Sequence, residues 1–112
     1  MTLREEDPTL YFLAGRFCVE LLSLSWIELK LANTFFGALP QVSHQDALQY
    51  FYKAYKLKPQ WKENIFYLVK MLIKLKDKVE AKIYLEQGLK IPASSEEEIA
   101  IQEKLQEMKK LL

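Results

Sequence analysis

The chain has 112 residues, of which half are hydrophobic and 28% are charged, and its formal net charge is +1. This length suits a single domain that buries between about 60% and about 70% of its unfolded surface in one core. The single cysteine, Cys18, excludes an internal disulfide, and charged residues interrupt every apolar run before the roughly 18 residues that a membrane-spanning helix requires. Residues Met1 to Pro8 lack the apolar segment of a signal peptide, so we expect a soluble, cytoplasmic protein.

The charges are distributed unevenly along the chain. Residues 1–46 carry three basic and six acidic side chains, residues 47–93 carry ten and four, and residues 94–112 carry three and five. The net charges of these segments are −3, +6 and −2. The basic middle segment favours an acidic protein partner, although a lysine-rich helix face is usually only solvated. We predict no nucleic-acid partner.

The first predicted helix begins after Asp7, an N-cap residue followed by Pro8 at the first helical position, where proline is tolerated. Apolar residues then recur at helical spacing and form one stripe, which comprises Leu10, Leu13, Ala14, Phe17, Cys18, Leu21 and Leu22. No capping helix comes before this one in the sequence. One of its faces is therefore predicted to stay unstacked and to meet another segment or, by self-association, a second copy of the chain.

The second predicted helix begins after Ser25, which can form a capping box with Glu28. Gly37 and then Pro40 end it, because glycine suits a helix C-terminus and proline cannot continue the helix. We expect this helix to fold against its neighbours through one apolar face, which comprises Trp26, Ile27, Leu31 and Phe35.

The third predicted helix begins after Ser43. Ser43 and Asp46, three residues apart, resemble a second capping box with aspartate in place of glutamate. It ends before Pro59, and its predicted buried face comprises Ala47, Leu48, Phe51, Ala54, Tyr55 and Leu57. The fourth helix begins at Trp61 or Lys62. Its apolar residues at helical spacing are Ile65, Leu68, Val69, Leu72 and Leu75.

The fifth predicted helix opens at Asp77 and ends at Pro92. The sixth follows Ser95, where a capping box with Glu98 and a run of acidic residues suit the positive end of a helix. This last helix is half polar, with an apolar stripe of Ile101, Leu105, Met108 and Leu112. A half-polar terminal helix is what a stack of helices needs to cover its last apolar face.

A repeated spacing relates the third helix to the fifth. The residues Ala47, Phe51, Ala54 and Pro59 are matched by Ala81, Leu85, Gly88 and, one residue early, Pro92. The offset of 34 residues is the period of the tetratricopeptide repeat (TPR), in which small residues let two antiparallel helices approach closely. Between the first and third helices, about 20 residues are inserted relative to such a repeat.

The predicted fold class is therefore all-α, an antiparallel helix-hairpin solenoid of tetratricopeptide type with an extra inserted helix in the first unit and a C-terminal capping helix. Residues 1–112 form a single TPR-like domain. Within it, residues 8–59 are an expanded first repeat with an insertion at about 24–43, residues 60–93 are a second repeat, and residues 94–112 are the capping helix.

The sequence contains no pattern that predicts catalysis. The lone histidine, His44, lies at a predicted helix start without nearby cysteine or paired acidic ligands, which favours a surface residue over a metal ligand or general base. Cys18 lies on an apolar stripe, which favours burial over nucleophilic reactivity. Three isolated glycines form no phosphate-binding loop. We expect a protein that is not an enzyme and that binds no metal or cofactor.

Repeat geometry instead predicts a binding groove, because the first helices of successive TPR units line the concave face. The predicted groove residues that could bind a partner are Phe12, Arg16, Phe66, Lys70 and Lys74. In both units a phenylalanine precedes a cation by four residues, which would give an aromatic platform beside positive charge for an acidic segment. The alternative is that both phenylalanines are packed under the inserted helix and the cations are solvated. Lys53, Lys56, Lys78 and Lys82 lie outside this groove and are predicted to be solvated.

The sequence resembles the C-terminal tetratricopeptide region of the regulator of microtubule dynamics family. The residues that carry the resemblance are Asp7-Pro8, Gly15, Ser25-Trp26-Ile27, Ala32, Phe36-Gly37, Pro40, Ala47 to Phe51, Ala54 and Pro59. The lengthened first unit, with a tryptophan-containing helix, is its most specific part. The resemblance covers the chain from about Asp7 to Leu112.

The resemblance implies an all-helical adaptor without catalytic activity, which takes part in microtubule organisation and chromosome segregation. It also implies a cytosolic location with association to microtubules, spindle poles or mitochondria, and tubulin as a partner whose acidic tails would attract the basic middle segment. Two alternatives remain open at this stage. One is a protein or peptide adaptor of another kind, and the other is a lipid-binding or tethering module in which Phe12, Phe66 and Trp26 line an apolar cavity.

Overall fold

The computed structural model describes residues 7–37 and 39–112, and six helices account for most of them. These are α1 (Pro8–Leu22), α2 (Trp26–Phe36), α3 (His44–Leu57), α4 (Lys62–Lys74), α5 (Lys78–Lys90) and α6 (Glu96–Lys109). The described residues contain no β-strand, so the all-helical prediction is confirmed for them. Most of the segment from Met1 to Pro8, predicted not to be a signal peptide, lies outside the described residues.

Local capping interactions explain where the helices begin. The carboxylate of Asp7 accepts a hydrogen bond from the Thr9 amide at 2.9 Å, and Pro8 occupies the first turn. The two predicted capping boxes, Ser25 with Glu28 and Ser43 with Asp46, are both formed. The predicted starts of α1, α2 and α3 are therefore confirmed.

The N-terminus of α6 differs in detail from its prediction. The Ser95 hydroxyl accepts a hydrogen bond from the Glu98 amide at 3.1 Å, as expected for an N-cap. The Glu98 carboxylate, however, accepts from the amide and the hydroxyl of Ser94, at 2.9 and 2.8 Å, instead of from the Ser95 amide. The predicted capping box is thus wrong by one residue. These hydrogen bonds lower the pKa of Glu98 below its usual range.

Five pairs of helices form the packed part of the molecule. α1 packs on α3, α3 on α4, and α4 on α5, and α6 packs on both α4 and α5. The apolar stripe of α6 faces this assembly, because Leu105 is fully buried and Ile101, Met108 and Leu112 pack against the core. The prediction that the last helix covers the core with one apolar face is confirmed.

Small residues allow the close approaches inside this core. A Cβ atom added to Gly15 on α1 would lie 2.6 Å from the ring of Phe51 on α3, and one added to Gly88 on α5 would lie 2.8 Å from Ile65 on α4. Such distances are far below van der Waals contact, so only glycine fits at either position. Ala47, Ala54 and Ala81 are likewise fully buried.

Two polar side chains on α4 are fully buried, which the sequence analysis did not predict. The Lys62 ammonium donates hydrogen bonds of 2.6 Å to the carbonyl oxygens of Gly88 and Ile91, at the C-terminus of α5. The Asn64 amide nitrogen donates to the Phe51 carbonyl oxygen at 3.0 Å. These hydrogen bonds join α4 to both of its neighbours in the chain, because buried polar groups are stable only when they are paired.

The prediction that the inserted helix packs through its apolar face is wrong. The relevant side chains of α2 are exposed, at 71% for Trp26, 63% for Ile27, 54% for Leu31 and 77% for Phe35. No residue of α2 is buried. The capping box makes the segment helical, but α2 follows α1 with a bend of 116°, and its apolar face points away from the packed helices. The four residues therefore face solvent.

Candidate partner-binding surface

The two predicted groove phenylalanines lie inside the core. Phe12 is 6% exposed and Phe66 is 7% exposed. The Phe12 ring centroid lies 4.5 Å from that of Trp61, 5.9 Å from that of Tyr67 and 6.1 Å from that of Phe51. The prediction that Phe12 and Phe66 form an open aromatic platform is therefore wrong, because both rings pack between helices. The alternative prediction, that both rings pack under the inserted helix, is right about their burial and wrong about the inserted helix, which is exposed.

Tyr67 is the half-buried aromatic residue that lies between the core and the cations. Its ring stacks against Phe51 at 5.6 Å and meets Phe66 edge-on at 5.0 Å. The guanidinium of Arg16 lies 4.6 Å from the Tyr67 centroid, and the Lys70 ammonium lies 5.8 Å from it. Burial raises the pKa of Tyr67, and the positive charge of Arg16 opposes this effect. Tyr67 therefore presents a neutral ring to two cations, one from α1 and one from α4.

Arg16 is engaged by carboxylates of its own chain. It forms ion pairs with Glu20 at 3.6 Å and with Glu63 at 3.9 Å. The guanidinium also lies over Tyr67, so the side chain connects α1 to α4. Because its charge is already shared with two carboxylates, Arg16 is better suited to holding the Tyr67 ring than to binding a partner's carboxylate.

Three lysines extend this surface along α4 and α6. Lys70 is half-buried and Lys74, one turn further along α4, is exposed. On α6, the exposed Lys104 places its ammonium 5.6 Å from the centroid of Phe66. Among residues 7–37 and 39–112, Lys70, Lys74 and Lys104 form no ion pair. We call this surface the cation–aromatic strip and define it as Arg16, Phe66, Tyr67, Lys70, Lys74 and Lys104, of which Phe66 is buried and contributes its ring to the Lys104 contact.

A small cavity of about 130 Å³ lies at one end of the strip. It is open on one side, and Lys70 and Lys74 from α4 line it together with Val19 and Leu22 from α1 and His44 from α3. Three helices therefore meet where two of the predicted site lysines lie. The volume suits a single side chain of a partner and not a drug-sized ligand, which occupies several hundred Å³.

Four of the five predicted site residues, together with two that were missed, form this strip. Arg16, Phe66, Lys70 and Lys74 belong to it, whereas Phe12 lies beneath Tyr67. Sequence reasoning missed Tyr67 and Lys104. Tyr67 could have been found from helical spacing, because it precedes Lys70 by three residues and follows Glu63 by four. Lys104 gives no such local signal, because its neighbour Phe66 is on another helix.

The residues outside the strip have simpler surroundings. Cys18 is 3% exposed, as its apolar neighbours predicted, and burial raises the pKa of its thiol, with a smaller contribution from Asp46. In the part of the chain that the structure describes, no three His, Cys, Asp or Glu side chains are grouped so that they could hold a metal ion. Four lysines outside the strip were predicted to be solvated, and all four are exposed: Lys53, Lys56, Lys78 and Lys82.

Two structural observations bear on membranes and lipids. Within the described ranges, no single helix is long and apolar enough to cross a membrane, and only the bent pair α1 and α2 meets the criteria of length and composition together. The predicted lipid cavity of Phe12, Phe66 and Trp26 is not formed by those residues, because the two phenylalanines are in the core and Trp26 is exposed on α2.

Comparison with known proteins identifies the family. The family model described as regulator of microtubule dynamics protein 1-3 matches residues 1–112. The chain belongs to the regulator of microtubule dynamics family. It is 36% identical over 107 residues to regulator of microtubule dynamics protein 2 of Homo sapiens, an alignment that covers 95% of this chain and 26% of that protein. The resemblance predicted from the sequence is thereby confirmed.

A second relative extends the match to nearly the whole chain. Regulator of microtubule dynamics protein 3 of Rattus norvegicus is 36% identical over 111 residues, which are 98% of this chain and 24% of that protein. The chain thus spans about a quarter of the length of the curated relatives that it matches. These relatives are named as regulators and not as enzymes.

Proposed function

We propose that this chain is a non-catalytic, microtubule-associated helical-repeat adaptor that contributes to microtubule organisation and chromosome segregation. Its location would be the cytoplasm, at the cytoskeleton and spindle. Membership of a family named for the regulation of microtubule dynamics supports the microtubule part of this proposal. The chain spans only about a quarter of those relatives, so the proposal concerns the contribution of this region.

The adaptor proposal includes a tetratricopeptide-type arrangement. In this view α1 and α3 form a first unit (8–59) that α2 expands, α4 and α5 form a second unit (60–93), and α6 (94–112) covers the last apolar face. The sequential packing of α1 on α3, α3 on α4 and α4 on α5 supports it. So do the small residues at the contacts between paired helices, such as Gly15 against Phe51. The cation–aromatic strip would then lie on the helices that line the groove.

The observation that carries the proposed binding mode is the row of lysines in the strip. Lys70 and Lys104 lie over the aromatic rings of Tyr67 and Phe66, and Lys74 is exposed beside them. Within the described part of the chain, none of the three is neutralised by an ion pair. A partner with closely spaced carboxylates, such as the acidic tail of tubulin, would satisfy all three, and its binding would weaken with salt.

The test is co-sedimentation with polymerised tubulin across a salt series. The test variant is Lys70→Glu/Lys74→Glu/Lys104→Glu, which reverses the charge of the three lysines of the strip and leaves Arg16 in place. We expect wild-type protein to pellet at low ionic strength and the variant to lose at least about tenfold in apparent affinity, because three attractive charges become repulsive.

The control variant is Lys56→Glu/Lys78→Glu/Lys82→Glu, which makes the same change in net charge at three exposed lysines outside the strip. We expect it to retain most of the binding. Equal losses in both variants would show that binding follows net charge and not this surface. Absence of wild-type pelleting at low salt would contradict microtubule binding by this region, and a soluble acidic peptide would then be the partner to test on the strip.

A further inference from the structure

The largest exposed apolar surface of the described chain belongs to α1 and α2. On α2, Trp26 and Phe35 are 71% and 77% exposed, and the following Phe36 is 79% exposed. On α1, Leu13 and Phe17 are 55% and 53% exposed. Single exposed apolar residues are ordinary, but nine large ones on two successive helices mark an interaction surface.

A shallow cavity lies beside the α1 stripe. This cavity of about 530 Å³ is lined by Phe17 from α1, by Pro40 and Val42 after α2, and by Asp46, Tyr50 and Lys53 from α3. Its entrance is open, and the exposed part of Phe17 forms one rim. The cavity thus provides a recess next to the α1 stripe that could accept a protruding aromatic side chain. The α2 helix carries three such side chains, Trp26, Phe35 and Phe36.

We propose that the α1–α2 surface is the interface of a symmetric dimer, in which it packs against the same surface of a second copy of this chain. Each copy carries both a protruding apolar helix and a recess that is lined in part by aromatic and aliphatic side chains, which is what a self-complementary two-fold interface requires. This inference does not rest on the microtubule proposal, because none of the strip's residues belongs to the proposed interface.

The exposed apolar area is of the order that a stable dimer interface buries. Four aromatic side chains (Phe17, Trp26, Phe35 and Phe36) are each more than half exposed, and five aliphatic side chains of α1 and α2 are at least 40% exposed. Since an aromatic side chain can bury about 150–250 Å², the set offers on the order of 1,000 Å² per copy. A specific interface of standard size needs about 800 Å² per partner.

The charges favour a second copy over a membrane surface. Residues 7–37 contain two basic and three acidic side chains, a net charge of −1. Helices that lie on anionic membranes carry lysine and arginine on their polar face. Here Lys30 lies over the ring of Trp26 at 4.7 Å and Arg16 is paired with Glu20, so both cations already interact with groups of their own chain. A nearly neutral apolar surface causes little repulsion between identical copies.

The low stability of an isolated short helix also supports a contact between α2 and a second copy. α2 has 11 residues and no buried side chain. Isolated helices shorter than about 12–15 residues are marginal in water, because most helix stability comes from packing of an apolar face. Its capping box starts the helix but supplies no packing. Contact with a second copy would provide the packing that the core of its own chain does not.

The test is sedimentation equilibrium of the 112-residue chain, from about 1 μM to about 200 μM, a range that brackets weak and moderate dimers. We expect wild-type protein to move from the monomer mass of 13.2 kDa toward twice that value as concentration rises. The variant Ile27→Asp/Leu31→Asp should stay monomeric throughout. Both residues are exposed, so the monomer's thermal unfolding should be unchanged.

The matched control is Val79→Asp/Ile83→Asp on α5, which has the same helical spacing and similar exposure, at 75% and 52%. We expect it to dimerise as wild-type does. A wild-type monomer at every concentration, or association that survives the α2 change, would overturn the proposal. So would monomeric protein that floats with phosphatidylcholine and phosphatidylserine vesicles through the α2 residues, because the surface would then be a membrane contact.

Discussion

Helices α4 and α2 have similar lengths and similar shares of apolar residues, but opposite surroundings. α4 has 13 residues, eight of which are buried, including Ile65 and Leu68, whereas α2 has 11 residues and none is buried. α4 is flanked by α3, α5 and α6, so most of its apolar surface meets another helix. α2 bends away from α1 and its apolar stripe meets none. Apolar periodicity therefore predicts a helix with an apolar face, but the position of other helices decides whether that face is buried.

The largest expected difference between the two regions comes from removing a phenyl ring. Phe51→Ala, opposite α4, should lower the free energy of unfolding by about 3–5 kcal/mol, because the ring is fully buried against Phe12 and Tyr67. Phe35→Ala on α2 should change it by less than about 0.5 kcal/mol, because that ring is exposed. Urea denaturation at low micromolar concentration measures both. Equal losses would show that α2 is packed against the core in solution.

The second comparison of α4 and α2 concerns a buried lysine, Lys62, and an exposed one, Lys30. Lys62→Met should lower the free energy of unfolding by about 2 kcal/mol, because the C-terminal carbonyl oxygens of α5 lose a charged donor. Lys30→Met on α2 should have little effect, since Lys30 is exposed and its ammonium lies over the exposed ring of Trp26. Thermal or urea unfolding of the two variants at neutral pH makes the comparison.

The contribution of Lys62 should also depend on pH. Burial lowers the pKa of Lys62 below its usual value of 10.5, and a smaller effect of Glu98 opposes this. Just below pH 10.5 the unfolded chain therefore binds more protons than the folded chain, so the unfolding free energy contributed by Lys62 rises with pH in that window. The difference between wild-type protein and Lys62→Met should grow there. A constant difference would show that Lys62 titrates as it does in the unfolded chain.

The smallest expected effects concern how the two helices end. After α4, Lys76 adopts a left-handed conformation with φ of 65°. The backbone amide of Asp77 donates a hydrogen bond to the Leu72 carbonyl oxygen at 2.9 Å. Lys76→Gly should raise the unfolding free energy by about 0.5 kcal/mol, because glycine adopts this conformation without strain.

The matched change after α2 is Gly37→Ala, where φ is 78°. We expect it to lower the helical circular dichroism signal and leave the main unfolding transition in place, because α2 is not packed in the core. A shift of the main transition by Gly37→Ala, as large as that caused by Lys76→Gly, would show that the two helices unfold together.

The sequence by itself determined where most of the helices begin. A cap such as Ser25 with Glu28 or Ser43 with Asp46 forms between residues three apart, so its signal is complete within a few residues. The spacing of small residues such as Ala47 and Gly88 also identified positions of close helix contact, because few residues fit there. Similarity of sequence likewise sufficed to assign the family.

The tertiary structure decided which of the predicted apolar faces are buried and which residues meet across helices. It placed Phe12 and Phe66 in the core, and it brought Lys104 of α6 over a ring of α4. It also buried Lys62, because the carbonyl oxygens that accept its hydrogen bonds lie 26 and 29 residues further along the chain. Burial and cross-helix pairing depend on residues distant in sequence, so no local pattern specifies them.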